Sequence, residues 1–225
     1  FPTTLCWHGV RVENRFDGVP GQTQSPVQVG ATYTAQIHFP DAGIFWYHPH
    51  QRAHIAQDLG MYGNIIVESR DADYYSPVNS EETLILDDVL LDDVGWIPFG
   101  FEAPSHALMG RFGNLLLTNG EPKFRREIKK GDVVRLFITD ASNSRPFNLR
   151  IEGGVPMKLV AGDLSKFERE EWIPTVIIAP GQRYVVEARF DEEGEFALTN
   201  RITAVDHWMG EFQYEVDTLG VFSVS

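Results

Sequence analysis

Asp132-Val133-Val134-Arg135-Leu136-Phe137-Ile138 is the stretch on which the fold class turns. Its apolar residues recur with a period near two, and both faces are partly apolar. That pattern suits a strand packed on one face and partly covered on the other, as in a β-sandwich. Lys130-Gly131-Asp132 in front of it reads as a turn that launches the strand. Thr32 to Phe39 and Tyr184 to Phe190 alternate in the same way. Pro180-Gly181-Gln182 is a second launching turn. Helix signals are weak, and the spacing predicts only short helices within Gln51–Leu59 and Pro104–Arg111. The texture is all-β.

One boundary is visible. Residues 69–82 are polar and turn-rich, between the strand-like Asn64-Ile65-Ile66-Val67 and Thr83-Leu84-Ile85-Leu86. The expected organisation is a first domain over residues 1–70, a linker over 71–82 and a second domain over 83–225. The first is small for an independent β-sandwich, for which ~100 residues is usual. The opening Phe1-Pro2-Thr3-Thr4-Leu5 has neither the charge nor the apolar stretch of a secretory signal. It reads as mid-domain, so the first domain is expected to be clipped at its N-terminal side and the chain a fragment.

Composition narrows the function. The 225 residues are 43% apolar and 23% charged, as in a folded chain rather than a disordered one. The formal net charge is −13. Residues 1–68 hold 3 basic and 5 acidic side chains, and residues 69–225 hold 16 and 27. Such acidity disfavours nucleic acid, which demands a basic stripe, and an anionic membrane surface. No apolar run approaches the ~18 residues of a membrane span. The single cysteine, Cys6, excludes an intrachain disulfide.

Three of the seven histidines fall in two compact clusters, Leu5-Cys6-Trp7-His8-Gly9 and Phe45-Trp46-Tyr47-His48-Pro49-His50. In a strand, residues i and i+2 share a face, so His48 and His50 project together, ~6–7 Å apart along the chain. That spacing favours one ion each of a close pair over one shared ion. Cys6 and His8 stand in the same relation. Imidazole suits copper, zinc, iron and nickel, and thiolate adds a preference for Cu(I) and zinc. His38, His54, His106 and His207 have no such company and read as ordinary core or surface histidines. Asp87-Asp88 and Asp92-Asp93 could hold a cation, but such pairs are more often solvated at strand ends.

The two clusters resemble the first two copper motifs of the multicopper oxidases, the laccase-like family. The family writes them His-Trp-His-Gly and Trp-Tyr/His-His-x-His; here they stand as Cys6-Trp7-His8-Gly9 and Trp46-Tyr47-His48-Pro49-His50. Pro2-Thr3-Thr4-Leu5, Asp17-Gly18-Val19-Pro20, Asp41-Ala42-Gly43 and Leu59-Gly60-Met61-Tyr62-Gly63-Asn64 match the surrounding text. Thr118-Asn119-Gly120, Ala179-Pro180-Gly181-Gln182-Arg183 and Val205-Asp206-His207-Trp208-Met209-Gly210 resemble the second domain of three-domain members. The resemblance implies two cupredoxin-like Greek-key β-sandwich domains, and a periplasmic or secreted location. It implies that His8 and His48 ligate one copper of the type 3 pair and His50 the other. In the parent, one-electron oxidation of a phenol, aromatic amine or metal ion is coupled to reduction of dioxygen to water.

Two departures limit that implication. Cys6 stands where the family's type 2 copper takes a histidine, which puts that copper in doubt. The family's later motifs, one of the form His-Cys-His-x-x-x-His, are absent, so no type 1 site can form from this chain. The resemblance therefore implies a fragment inactive by itself, completed by a third cupredoxin domain or another chain. A non-catalytic β-sandwich binding or assembly module with a decayed copper site is the alternative. A two-domain oxidase is disfavoured, because it too needs a type 1 Cys-His set. Met61, Met109, Met157 and Met209 are scattered and form no methionine-rich tract.

Overall fold

The computed structural model describes residues 1–100, 103–206 and 209–225. His207 and Trp208, at the centre of one quoted family match, lie outside them. Strands β1 (Leu5–His8), β2 (Gly43–Pro49) and β3 (Gly63–Val67) form a three-stranded antiparallel sheet in the order β1-β2-β3. Helix α1 (Ala53–Asp58) joins β2 to β3.

The rest of the chain is a sandwich of two sheets. Its strands are β4 (Ser80–Val89), β5 (Leu115–Thr118), β6 (Phe124–Ile128), β7 (Val133–Asp140), β8 (Phe147–Ile151) and β9 (Met157–Gly162). They continue with β10 (Ser165–Ile173), β11 (Val176–Ile178), β12 (Arg183–Arg189), β13 (Gly194–Asp206) and β14 (Glu211–Val224). The six-stranded sheet runs β10-β9-β12-β7-β4-β5 and the five-stranded sheet β11-β8-β13-β14-β6. Pairing is antiparallel except for β4 with β7 and β14 with β6. Helix α2 (Ala103–Met109) lies between β4 and β5.

The period-two pattern of β7 explains how the layers stack. Val134, Leu136 and Ile138 point into the sandwich core with Leu84, Leu86, Phe147, Leu149, Leu198 and Phe222. Phe137 points the other way and packs with Ile44 of β2, Val160, Ala161 and Val185. The second face of β7 is apolar because the three-stranded sheet covers it. Arg135, on that face and 4% exposed, donates to Glu187 at 2.7 Å and Glu81 at 2.6 Å and lies 4.6 Å from the ring of Tyr75. A buried guanidinium is tolerated only with such partners.

Two expectations need correction. Thr32–Phe39 forms no strand. Ala35, Ile37 and Phe39 are half-buried and Thr34, Gln36 and His38 exposed, so the alternation is present. A strand also needs ladder hydrogen bonds to a neighbour, which this segment lacks. Asp87 and Asp88 are not solvated; each is 3% exposed. Tyr62 donates to Asp87 at 2.6 Å, and Arg145 and the Gly113 amide donate to Asp88 at 2.8 and 2.5 Å. Asp92 does stay at the surface, where its carboxylate accepts from the amides of Val94 and Gly95.

Candidate metal centre

The β1–β2 ladder sets Cys6 opposite His48 and His8 opposite Trp46. Cys6 and His48 are each 8% exposed, and His50 is half-buried at the strand end. The rings form one cluster: His8 lies 5.4 Å from His48, and His48 lies 5.2 Å from His50. Trp46 stacks on His48 at 4.4 Å and tilts against His8 at 4.9 Å. The indole thus packs against two of the three imidazoles.

His8 Nδ1 stands 3.2 Å from His48 Nε2. In the metal-free chain this is a hydrogen-bond distance. It is also the separation of two imidazole nitrogens on one ion, since bonds of ~2.0–2.1 Å to each subtend an angle of about 100°. Nδ1 of His48 lies 3.2 Å from the carbonyl of Pro49, which can only accept. The proton therefore sits on Nδ1, and Nε2 keeps its lone pair for the cluster.

Burial holds the imidazoles of His8 and His48 neutral, as a ligand must be. It pushes His8 down to about 4, with the charge of Arg183, then His48 and His50, acting in the same direction. It also lowers His48, against the hydrogen bond to Pro49. Burial first, then the charge of Asp17, pushes the Cys6 thiol up to about 11. Sγ of Cys6 and one nitrogen each of His48 and His50 lie within 4.8 Å of one another.

Two site residues escaped the sequence reading as site residues. Arg183 comes from the sandwich, donating through Nε to the carbonyl of Ile44 at 3.3 Å and through Nη2 to that of Asp163 at 2.8 Å. It crosses directly over Gly9, where a Cβ would overlap Nη2 and stand 3.0 Å from Cζ. Gly181, at φ +84°, faces His8, and a Cβ there would lie 3.2 Å from Cε1. The only hint was the quoted Ala179-Pro180-Gly181-Gln182-Arg183 turn.

The other histidines among the described residues stand apart. His38 is exposed, His54 is exposed with its ring 4.9 Å from Phe99, and His106 is half-buried on α2. An open groove of about 850 Å³, lined by Leu108, Phe112, Arg145, Ile177 and Tyr214, includes none of the clustered histidines.

Converging imidazoles on paired strands beside a β-sandwich are a donor arrangement suited to a metal ion. The sequence profile described as multicopper oxidase matches residues 1–72, which include Cys6, His8, His48 and His50. The multicopper oxidase mco of Staphylococcus haemolyticus is 25% identical over 187 residues, 80% of this chain and 40% of that protein. Laccase-1 of Emericella nidulans is 40% identical over 72 residues, 31% of this chain and 12% of that protein. The crystal structure of a multicopper oxidase from Pseudomonas thermotolerans superposes on all of this chain and 51% of its own, with TM-score 0.84 and 30% identity. Over residues 1–72 the chain carries the multicopper oxidase profile, and its fold is the cupredoxin-like β-sandwich of the solved multicopper oxidases. It spans about half the length of that solved relative and 40% of the staphylococcal one.

Proposed function

We propose that the chain supplies the first two cupredoxin-like domains of a three-domain copper-dependent oxidase. Residues 1–70 form the first, 71–82 the link and 83–225 the second. The reaction of the whole is one-electron oxidation of a small reducing substrate coupled to reduction of dioxygen to water. His8, His48 and His50 are half of the type 3 ligands, with His8 and His48 on one copper and His50 on the other. The observation that carries this reading is the 3.2 Å approach of His8 Nδ1 to His48 Nε2, a separation that fits two ligands of one ion.

Copper, when bound, supplies the one-electron redox chemistry. The chain's own residues hold the geometry: rigid paired strands fix the imidazoles, Pro49 fixes the tautomer of His48, and Trp46 packs against the rings of His8 and His48. The only cysteine is Cys6, so the Cys-His₂ centre that accepts electrons from substrate comes from a third cupredoxin domain or another chain. The sandwich over 83–225 serves as spacer and as the wall behind His8. A periplasmic or secreted location accompanies this reading.

Elemental analysis of the chain after Cu(II) loading and desalting tests it. The expected result is copper retained by the wild type and lost by His48→Ala/His50→Ala. Equal retention by both, or none by either, overturns the reading. Dioxygen consumption is expected only after joining to a domain bearing His-Cys-His-x-x-x-His.

A further inference from the structure

The cluster holds a donor that the histidine reading does not use. Cys6 is paired directly with His48 in the β1–β2 ladder, so its position is set by backbone hydrogen bonds. It is buried, and as the only cysteine it has no disulfide partner. Its Sγ and one nitrogen each of His48 and His50 converge to within 4.8 Å. A thiolate and an imidazole on one ion stand ~3.6–3.8 Å apart, for bonds of ~2.3 Å to sulfur and ~2.0–2.1 Å to nitrogen. Closing to that span asks for at most about 1 Å of movement, within reach of side-chain rotation.

We propose that Cys6, His48 and His50 form a three-ligand site, one sulfur and two nitrogens, that takes a single thiophilic ion of the Cu(I) or Zn(II) kind. The proposal rests on reading this face as a metal site. It adds that the corner which the family fills with imidazole is a thiolate here. The donor set decides the ion class: thiolate with imidazole selects Cu(I) and zinc over harder ions. Binding replaces the S–H bond of Cys6 by a sulfur–metal bond, and the proton leaves to solvent. No electron is transferred. The site shares His48 with the His8–His48 arrangement, because the His48 ring has one free lone pair, on Nε2. Its Nδ1 is committed to Pro49. The donors that converge within 4.8 Å are those of Cys6, His48 and His50, so His8 is not counted among the three ligands.

Anaerobic Co(II) titration of the whole 225-residue chain tests this. Cobalt reports sulfur ligation through a thiolate-to-metal charge-transfer band in the near ultraviolet, without oxidising the thiol. The expected result is one Co(II) per chain with that band, abolished by Zn(II). His8→Ala keeps the band; Cys6→Ala loses it and binds at least tenfold more weakly. His50→Ala, at a half-buried position, also weakens binding tenfold or more and guards against a Cys6 variant that fails to fold. Metal bound without the band, and equally well by Cys6→Ala, overturns the thiolate site and leaves the histidine reading standing. A band that persists in His48→Ala/His50→Ala marks a lone thiol and overturns the site. No Co(II) bound by the wild type overturns the thiolate site, while copper retention decides the histidine reading separately.

Discussion

Arg183 of the sandwich lies directly over Gly9 of the three-stranded sheet, and its guanidinium fills the space that a Cβ at position 9 would take. Gly9 is also at φ +83°. The chain therefore locks its two halves together one residue beyond His8, through a contact that requires glycine on one side and a long cation on the other.

Gly9→Ala tests that lock. The substitution strains the backbone at positive φ, at a cost of ~1–3 kcal/mol, and also displaces Arg183. Gly21→Ala is the control, because Gly21 is at φ +73° with nothing within 4 Å of a new Cβ. Urea denaturation is expected to show Gly9→Ala losing clearly more stability than Gly21→Ala, with copper retention falling only in the former. Equal losses would mean that Arg183 is not held by Gly9.

Asp140 sets a pH dependence. Its Oδ1 accepts from the amide and hydroxyl of Ser142 at 2.9 and 2.7 Å, whereas Oδ2 has no partner. Burial, opposed by those bonds, pushes it up to about 8, and burial pushes Asp87 up to about 7. A carboxyl raised above its usual 3.8 binds more protons folded than unfolded. Its stabilisation is present at low pH and is lost as pH rises through 3.8 to about 8. His8, held near 4, acts oppositely, and its contribution falls as pH drops from 6.5 to about 4. Asp140→Asn stays neutral while keeping an oxygen for Ser142. Between pH 5 and 8 its Tm is expected to fall less than that of the wild type, by several degrees at ~2–4 °C per kcal/mol. Parallel Tm curves would rule out a titrating Asp140.

The Asp58–Arg111 pair joins α1 to the sandwich. Nη1 of Arg111 lies 2.8 Å from both carboxylate oxygens of Asp58, and the side chains are 4% and 5% exposed. Trp96 Nε1 donates to the same carboxylate at 2.5 Å. Arg111→Met strands a buried charge and is expected to cost ~3–5 kcal/mol by chemical denaturation. Adding Asp58→Asn removes that charge and is expected to restore part of the loss. A double variant no more stable than Arg111→Met would show that the pair is held by its other contacts.

Metal should stabilise the folded chain, since the unfolded chain has no assembled cluster. At a free ion concentration 100 times Kd the gain is ~2.7 kcal/mol. Differential scanning fluorimetry with Zn(II) is expected to raise Tm by about 5–10 °C in the wild type and not in His48→Ala/His50→Ala. A rise of the same size in the variant would place the ion elsewhere.

Much of this was readable along the chain. The alternation of Asp132–Ile138 announced a strand packed on one face and partly covered on the other, and in β7 both faces are packed. The i, i+2 spacings put His48 with His50 and Cys6 with His8, because strand geometry is local. Thr32–Phe39 shows the limit of that logic: its alternation matches its exposure, yet no neighbour completes a ladder. Asp87 and Asp88 show the same limit for charge, since their partners Tyr62 and Arg145 lie 25 and 57 residues away.

The sequence by itself determined the all-β class, the two histidine clusters and the presence of a lone cysteine beside one of them. These follow from residue type and short-range periodicity. The tertiary structure alone decided that His8 meets His48 across 40 residues, that Arg183 and Gly181 close over His8, and that Cys6 converges with His48 and His50. Those relationships depend on strand register and on how one sheet seats against another. Both are fixed by burial of residues such as Ile44 and Phe137, whose distance along the chain carries no trace of their contact.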